Sequence, residues 1–264
     1  MKNSIGIFDS GLGGTSIYKE VHQLLPYENI IYLADSKNAP YGDKSTQEII
    51  ALSVKNTELL IQNKCKLIIV ACNTATTNAI HILRKNYTVP FIGIEPAIKP
   101  ATLQTTNNKI GILATKGTLS SALFSKTFKK YVNQDIQVTE IEGKKLVEAV
   151  ENDLLNTPSF KSYFFQHITP FKEQEIDSLV LGCTHYPYLI PLIREFLPNV
   201  KIIDSGFAVA QQTKRILHKH QLLNTSLSSP IVQFYTNGQV QLLAQLLKKH
   251  NTDFSSYQVN YLDF

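Results

Sequence analysis

The sequence has no tryptophan, one methionine and only three cysteines in 264 residues. Cys65, Cys72 and Cys183 are too few for the disulfide framework that staples small secreted domains, so they are expected to stay reduced, as in the cytoplasm. Charge is also scarce. Charged residues make up 18% of the chain and hydrophobic ones 43%, against roughly 25% charged in an average soluble protein, and this balance excludes disorder throughout. Apolar runs are short. The segment 67–72 falls far below the roughly 18 residues that suggest a membrane span, and Met1 and Lys2 lead directly into an apolar segment at 5–8, so neither a membrane attachment nor a signal peptide is expected. The net charge of +5 is spread over pairs such as Lys129-Lys130 and Lys248-Lys249. Such pairs mark solvated helix faces, and nucleic acid is not an expected partner.

Several familiar motifs are missing too. Gly11-Leu12-Gly13-Gly14-Thr15-Ser16 lacks the third glycine of a dinucleotide fingerprint, and Gly42-Asp43-Lys44-Ser45 is not a phosphate loop. Neither Ser10 nor Ser205 stands in a GxSxG elbow. The histidines and cysteines show no CxxC, HExxH or finger spacing, so no metal site is expected.

What is present is an alternation of short β-branched runs with longer segments of helical period. Strands are predicted at 4–8, 29–34, 67–71, 89–94, 109–114, 136–141, 178–181, 201–203 and 231–235, with helices between them, for example at 15–25, 45–62, 76–84, 120–131, 188–196, 208–220 and 239–250. This is the pattern of an α/β protein with buried parallel sheets. It also repeats. Ile5-Gly6-Ile7-Phe8 is echoed by Ile110-Gly111-Ile112-Leu113, and Leu67-Ile68-Ile69-Val70-Ala71-Cys72 by Ser178-Leu179-Val180-Leu181-Gly182-Cys183, at offsets of 105 and 111 residues. Two similar α/β domains related by a pseudo-twofold are expected, with the active site in the cleft between them. The second domain should occupy 96–206. Residues 207–264, expected to hold one strand and two helices, are too few for a core of their own and should return to complete a discontinuous first domain, 1–95 plus 207–264.

In such folds ligands bind beyond the carboxyl ends of the strands, which is where Cys72 and Cys183 stand. Each precedes a helix start, whose unpaired N–H groups and dipole favour a thiolate. Cys65, in the polar connection Lys64-Cys65-Lys66, reads as a structural residue. A cysteine hydrolase would use one nucleophile and a histidine. Two quasi-equivalent thiols suit proton removal on one face of a carbon and proton return on the other.

Asp9-Ser10-Gly11, Pro40-Tyr41-Gly42, Ala71-Cys72-Asn73-Thr74-Ala75 and Gly182-Cys183-Thr184-His185-Tyr186-Pro187 together resemble the bacterial glutamate racemases of the aspartate/glutamate racemase superfamily, over almost the whole chain. The resemblance implies interconversion of L- and D-glutamate, a small-molecule substrate, without pyridoxal phosphate or metal, to supply D-glutamate for peptidoglycan, and a homodimer. Cys183 would take the α-proton from L-glutamate while Cys72 protonates the other face, with the roles exchanged for D-glutamate. Asp9 would assist Cys72, and His185 would assist Cys183. Ser10, Pro40, Tyr41, Gly42, Asn73, Thr74 and Thr184, with Asp9 and His185, match the family's substrate-contacting positions. Thr76 and Thr115 are further candidates, and each could equally cap a helix. The alternative reading of Asp9 is a cap of the glycine-rich turn. The family's helical carboxylate falls in 146–151, where Glu151 matches best and Glu148 is the alternative. Aspartate as substrate and a non-catalytic binding role remain open on sequence alone.

Overall fold

The computed structural model describes residues 3–226, 228–250 and 257–264, so Met1 and Lys2 lie outside the described residues. In chain order the strands are β1 (Ile5–Asp9), β2 (Ile30–Ala34), β3 (Leu67–Val70), β4 (Phe91–Gly93), β5 (Lys109–Ala114), β6 (Gln137–Glu142), β7 (Ser178–Gly182), β8 (Lys201–Ile203), β9 (Val232–Thr236) and β10 (Tyr257–Tyr261). The helices are α1 (Thr15–Leu24), α2 (Thr46–Gln62), α3 (Asn73–Asn86), α4 (Ile98–Gln104), α5 (Lys116–Leu119), α6 (Ala122–Tyr131), α7 (Leu146–Glu151), α8 (Pro158–Glu173), α9 (Ile190–Phe196), α10 (Gly206–Lys219) and α11 (Val240–His250).

The strands form two sheets, β10-β9-β2-β1-β3-β4 and β6-β5-β7-β8, with every pairing parallel. The order β2-β1-β3-β4 is reproduced strand for strand by β6-β5-β7-β8. The repeat in the sequence is therefore a repeat of topology, and the chain is an α/β protein of two similar parallel-sheet units.

Side chains alternate across each sheet, and both faces are covered. Ile5, Ile7, Leu67 and Ile69 enter a core under α1, α10 and α11, whereas Phe8, Ile68 and Val70 enter the core under α2 and α3. In the second unit Leu113, Leu179 and Leu181 pack beneath α7, α8 and α9, and Ile110, Ile112 and Val180 beneath α4 and α6. Strands buried on both faces have to be apolar throughout, which is why the central ones were legible as continuous β-branched runs. The units touch at their crossings, where the Ser205 hydroxyl donates to the Glu95 carbonyl.

Several elements depart from expectation. The segment after 207 carries two strands, β9 and β10, both in the first sheet. The edge strand β10 escaped notice because Gln258, Asn260 and Tyr261 are exposed and leave no apolar run. Helix α3 starts at Asn73 rather than at 76, since Cys72 itself is the N-cap. Pro187 lies in a short 3-10 turn (Tyr186–Leu189) preceding α9 rather than in an α-helix. No helix among the described residues is long and apolar enough to cross a membrane.

Candidate active site

β1 and β3 of the first sheet and β7 of the second deliver the chemistry-bearing residues. β1 ends at Asp9, β3 leads through Ala71 to Cys72, and β7 leads directly to Cys183-Thr184-His185. Cys72 and Cys183 are both free thiols, 5% and 8% exposed.

Cys72 Sγ accepts from the Ala75 N–H at 3.4 Å, as an N-cap does, and its thiol donates to Ser10 Oγ at 3.6 Å. Burial, reinforced by the charge of Asp9, pushes this thiol above its usual range, against the Ala75 N–H. Cys183 Sγ lies 3.7 Å from His185 Nδ1. On the other side of the ring, Nε2 lies 2.6 Å from Glu151 Oε1, which also accepts from the Leu12 N–H at 2.5 Å. Burial alone would lower the His185 pKa, but its bonds to Cys183 and Glu151 raise it well above an ordinary imidazole. The ring is therefore held between a sulfur and a carboxylate, both of which favour its charged form. The Gly13 N–H also donates to the same Nε2 at 3.2 Å, so the glycine-rich turn of the first unit and the Glu151 carboxylate meet on one ring nitrogen. Cys65 lies away from both, against Gly6 and Leu60, and burial lifts its thiol to about 12. It packs in the core under α2 and α3.

Asp9 sits between the halves. Its Oδ2 accepts from the N–H groups of Gly14 (2.8 Å) and Gly11 (3.3 Å), and its Oδ1 accepts from the Thr184 hydroxyl at 3.3 Å. Asp9 does cap the glycine-rich turn, and the same carboxyl joins that turn to the Cys183 loop. Fully buried, it is raised to about 6 by desolvation, against the opposing pull of His185 and the Gly14 N–H. The unfolded carboxyl titrates near 3.8. Between these values the folded state keeps a proton that the unfolded state has lost, so Asp9 subtracts stability progressively as pH rises from about 4 to about 6, roughly 3 kcal/mol in all. Unfolding free energies of Asp9→Asn and the unsubstituted protein should therefore diverge in favour of the variant across that window and run parallel above it. A constant difference from pH 4 to 7 would contradict the assignment.

The remaining candidates fall into three groups. Asn73 is 2% exposed, and neither Oδ1 nor Nδ2 has a hydrogen-bond partner. A buried amide left unpaired is costly unless a ligand completes it. Thr74 Oγ1 lies 2.8 Å from Thr115 Oγ1, so Thr74 and Thr115 meet across the two units. Thr115 is also the N-cap of α5. Thr76, by contrast, is committed elsewhere: its hydroxyl donates to Val70 O and accepts from Ile94 N, tying β3 to β4. The Tyr41 hydroxyl is likewise spent, on Asp35 at 2.5 Å, leaving the backbone of the Tyr41–Asp43 turn and Gly42 to face Thr115. Of the two helical carboxylates the structure brings Glu151 to His185, while Glu148 is exposed. Pro40, Val147 and Glu148 are common walls of two neighbouring cavities of about 250 and 270 Å3.

Sequence reasoning missed the bonds between the halves. Thr15 Oγ1 meets Tyr188 Oη at 2.5 Å, and the Ser16 hydroxyl donates to Thr184 O at 2.9 Å. It also missed Thr118, which accepts from Thr115 at 2.9 Å; the Thr-x-x-Thr spacing at a helix start was the available signal. Among the described residues, no group of three or more His, Cys, Asp or Glu side chains is placed to hold a metal ion.

Two like parallel sheets, each followed by a cysteine and joined through the loops around those cysteines, define a class of pseudo-symmetric α/β proteins with one thiol per half. Residues 5–213 match the family model described as Asp/Glu/Hydantoin racemase. The chain is 41% identical over 243 residues to a glutamate racemase of Herpetosiphon aurantiacus, covering 92% of this chain and 95% of that relative. Among solved structures, a glutamate racemase isoform from Bacillus anthracis superposes with a TM-score of 0.87 at 32% identity, covering 99% of this chain and 97% of that one. Escherichia coli glutamate racemase in complex with L-glutamate and the activator UDP-MurNAc-Ala gives 0.85 at 29% identity, covering 99% of both. The chain belongs to the Asp/Glu/hydantoin racemase family.

Proposed function

We propose that the protein interconverts L- and D-glutamate by moving the α-proton between Cys183 and Cys72, without pyridoxal phosphate or a metal, and so supplies D-glutamate for peptidoglycan synthesis. The observation that carries this reading is the pair of buried free thiols at equivalent strand ends, each with its own partner, beside the unpaired amide of Asn73.

The two thiols are unequal in a useful way. Cys183 has a base beside it, with His185 Nδ1 3.7 Å from its sulfur, the pairing by which a thiol is activated, and it takes the α-proton of L-glutamate. Cys72, whose thiol burial and Asp9 keep protonated, is set to deliver a proton to the opposite face. Reverse turnover begins with the protonation states exchanged, and each half-reaction leaves the enzyme ready for the other enantiomer. Asp9 assists the Cys72 side through its charge, and Glu151 holds His185. Asn73, Ser10, Thr74 and Thr184, with the backbone of the Tyr41–Gly42 turn, bind the amino acid and its two carboxylates, while exclusion of water strengthens each of these contacts as the carbanion forms. Division of the chain into 1–95 plus 207–264 and 96–206, supported by the sheet membership of β9 and β10, allows the halves to part for substrate entry. We place the enzyme in the cytoplasm and, as closed pairs are the commonest assembly, as a homodimer.

The circular dichroism of an L-glutamate solution should decay to zero with no added cofactor, and in deuterium oxide the product should carry deuterium at the α-carbon. A flat trace with glutamate still bound would favour the binding role instead. Faster decay with L-aspartate would reassign the substrate.

A further inference from the structure

Asp35 lies just past β2 and is fully buried, with its N–H bonded to the Asp9 carbonyl at 3.0 Å. It therefore stands at the same sheet edge as the proposed site but contributes nothing to the reaction described above. Its carboxylate is surrounded by donors. Oδ2 accepts from the Tyr41 hydroxyl at 2.5 Å and from Asn56 Nδ2 at 3.4 Å, while Oδ1 accepts from Asn237 Nδ2 at 2.6 Å and Asn38 Nδ2 at 2.8 Å. Lys55 Nζ lies 3.3 Å from both oxygens. Asn56 also donates to the Tyr41 hydroxyl at 3.1 Å, so the phenol is held from both sides.

An acceptor-only group serving this many donors is the hub of a network rather than a member of it. Its donors come from the turn before Pro40, from α2 and from the turn between β9 and α11. A further tie reaches the last residue described: Lys55 Nζ and Asn237 Nδ2 donate to the Phe264 carbonyl at 3.0 and 3.3 Å, and Lys55 stands 5.0 Å from the centre of the Phe264 ring.

The network's output is the position of one turn. The Tyr41–Asp43 turn carries Gly42, where an added Cβ would come within 3.2 Å of Thr115 Cβ; a Cβ on Gly117 would come within 3.1 Å of the Gly42 carbonyl oxygen. The second half thus packs onto this turn with little clearance, and a displacement of a few tenths of an ångström is felt by Thr74 and Thr115. Without an anchor, a three-residue turn has little hydrogen bonding of its own to fix it.

We propose that Asp35 is a positioning residue: by clamping the Tyr41 hydroxyl to the first sheet, α2 and the 262–264 segment, it fixes the Tyr41–Gly42 turn against Thr115 in the geometry that binds substrate. This rests on the glutamate reading above. The bound amino acid meets the turn before and during proton transfer, so loosening it weakens both states alike and raises KM more than it lowers kcat.

The test is Asp35→Asn, with Tyr41→Phe as a second variant that keeps the ring volume should the first not fold. Each is read by glutamate racemisation in both directions and by amide hydrogen exchange of residues 40–44. Asp35→Asn turns an amide NH2 towards donors and leaves Lys55 without its ion-pair partner. KM should rise about tenfold with kcat changed less than about threefold, and exchange in 40–44 should accelerate about tenfold while β1 and β3 stay protected. Phe264→Ala should give a smaller effect, about threefold in KM, since Lys55 and Asn237 keep Asp35. A lowered Tm with unchanged KM and unchanged exchange in 40–44 would show a merely structural role and overturn the proposal, as would loss of kcat at constant KM. If the unsubstituted protein failed to racemise glutamate, the functional reading would fall, while the exchange data would still decide whether Asp35 holds the turn.

Discussion

Alanine at Cys72 or at Cys183 should lower the rate of glutamate racemisation by about 10³-fold or more in both directions if the two thiols work as proposed. Inversion needs a proton taken from one face and another returned to the opposite face; in the proposed scheme each thiol serves only its own face, so losing one should stop the cycle whichever enantiomer is supplied. The double variant should be little worse than either single one, since groups that act as a unit are not additive. The variants differ in what survives. In deuterium oxide Cys72→Ala retains the His185-linked thiol and should still exchange the α-proton of L-glutamate for deuterium without inverting it. Cys183→Ala should do this only to D-glutamate, and more slowly, because the Cys72 thiol is buried and stands beside the Asp9 carboxyl. Proton and deuterium spectra of both enantiomers check each case. Racemisation persisting in either single variant would refute the two-thiol scheme.

Much of this was legible because the chemistry sits at the ends of strands whose burial forces a readable composition. β3 and β7, apolar and buried throughout, declare themselves, and the cysteines that follow them are then placed by the topology. The edge strand β10 has no such constraint and was invisible. Long-range pairings were hidden for a different reason. Asp35 and Asn237 are 202 residues apart, and His185 and Gly13 172 apart; nothing local in either segment records the other. Thr76 shows the limit within a motif, because its neighbours Asn73 and Thr74 face the site while its own hydroxyl joins β3 to β4. The sequence already favoured Glu151 over Glu148, but which of them faces the glycine-rich turn is given only by the packing of α7.

That turn carries the second large effect. Its glycines fail the dinucleotide pattern, and none of the glycines has a positive φ, so turn geometry alone does not demand them. Close approach does. A Cβ on Gly13 would overlap the His185 ring, 2.6 Å from Cε1, and one on Gly11 would lie 2.9 Å from Glu151 Cδ. The imidazole cannot yield, because it is 1% exposed and held by Cys183 on one side and Glu151 on the other. Gly13→Ala therefore displaces either His185 from the Cys183 sulfur or the first half from the second. A shift of about 1 Å at a reacting group costs about 10²-fold in rate, so kcat should fall by about that factor, and the pH dependence that His185 imposes on the L-glutamate direction should change with it. Gly111→Ala provides the comparison. Its Cβ would lie 2.5 Å from Ile176 Cδ1 and 2.9 Å from Phe171, inside the second core, so it should lower Tm by several degrees, as overpacking by ~1–3 kcal/mol does, with kcat changed less than about twofold. If Gly13→Ala instead lost stability like Gly111→Ala and kept its kcat, the close approach of the two halves would be a matter of packing, and His185 would not need its observed position for proton transfer.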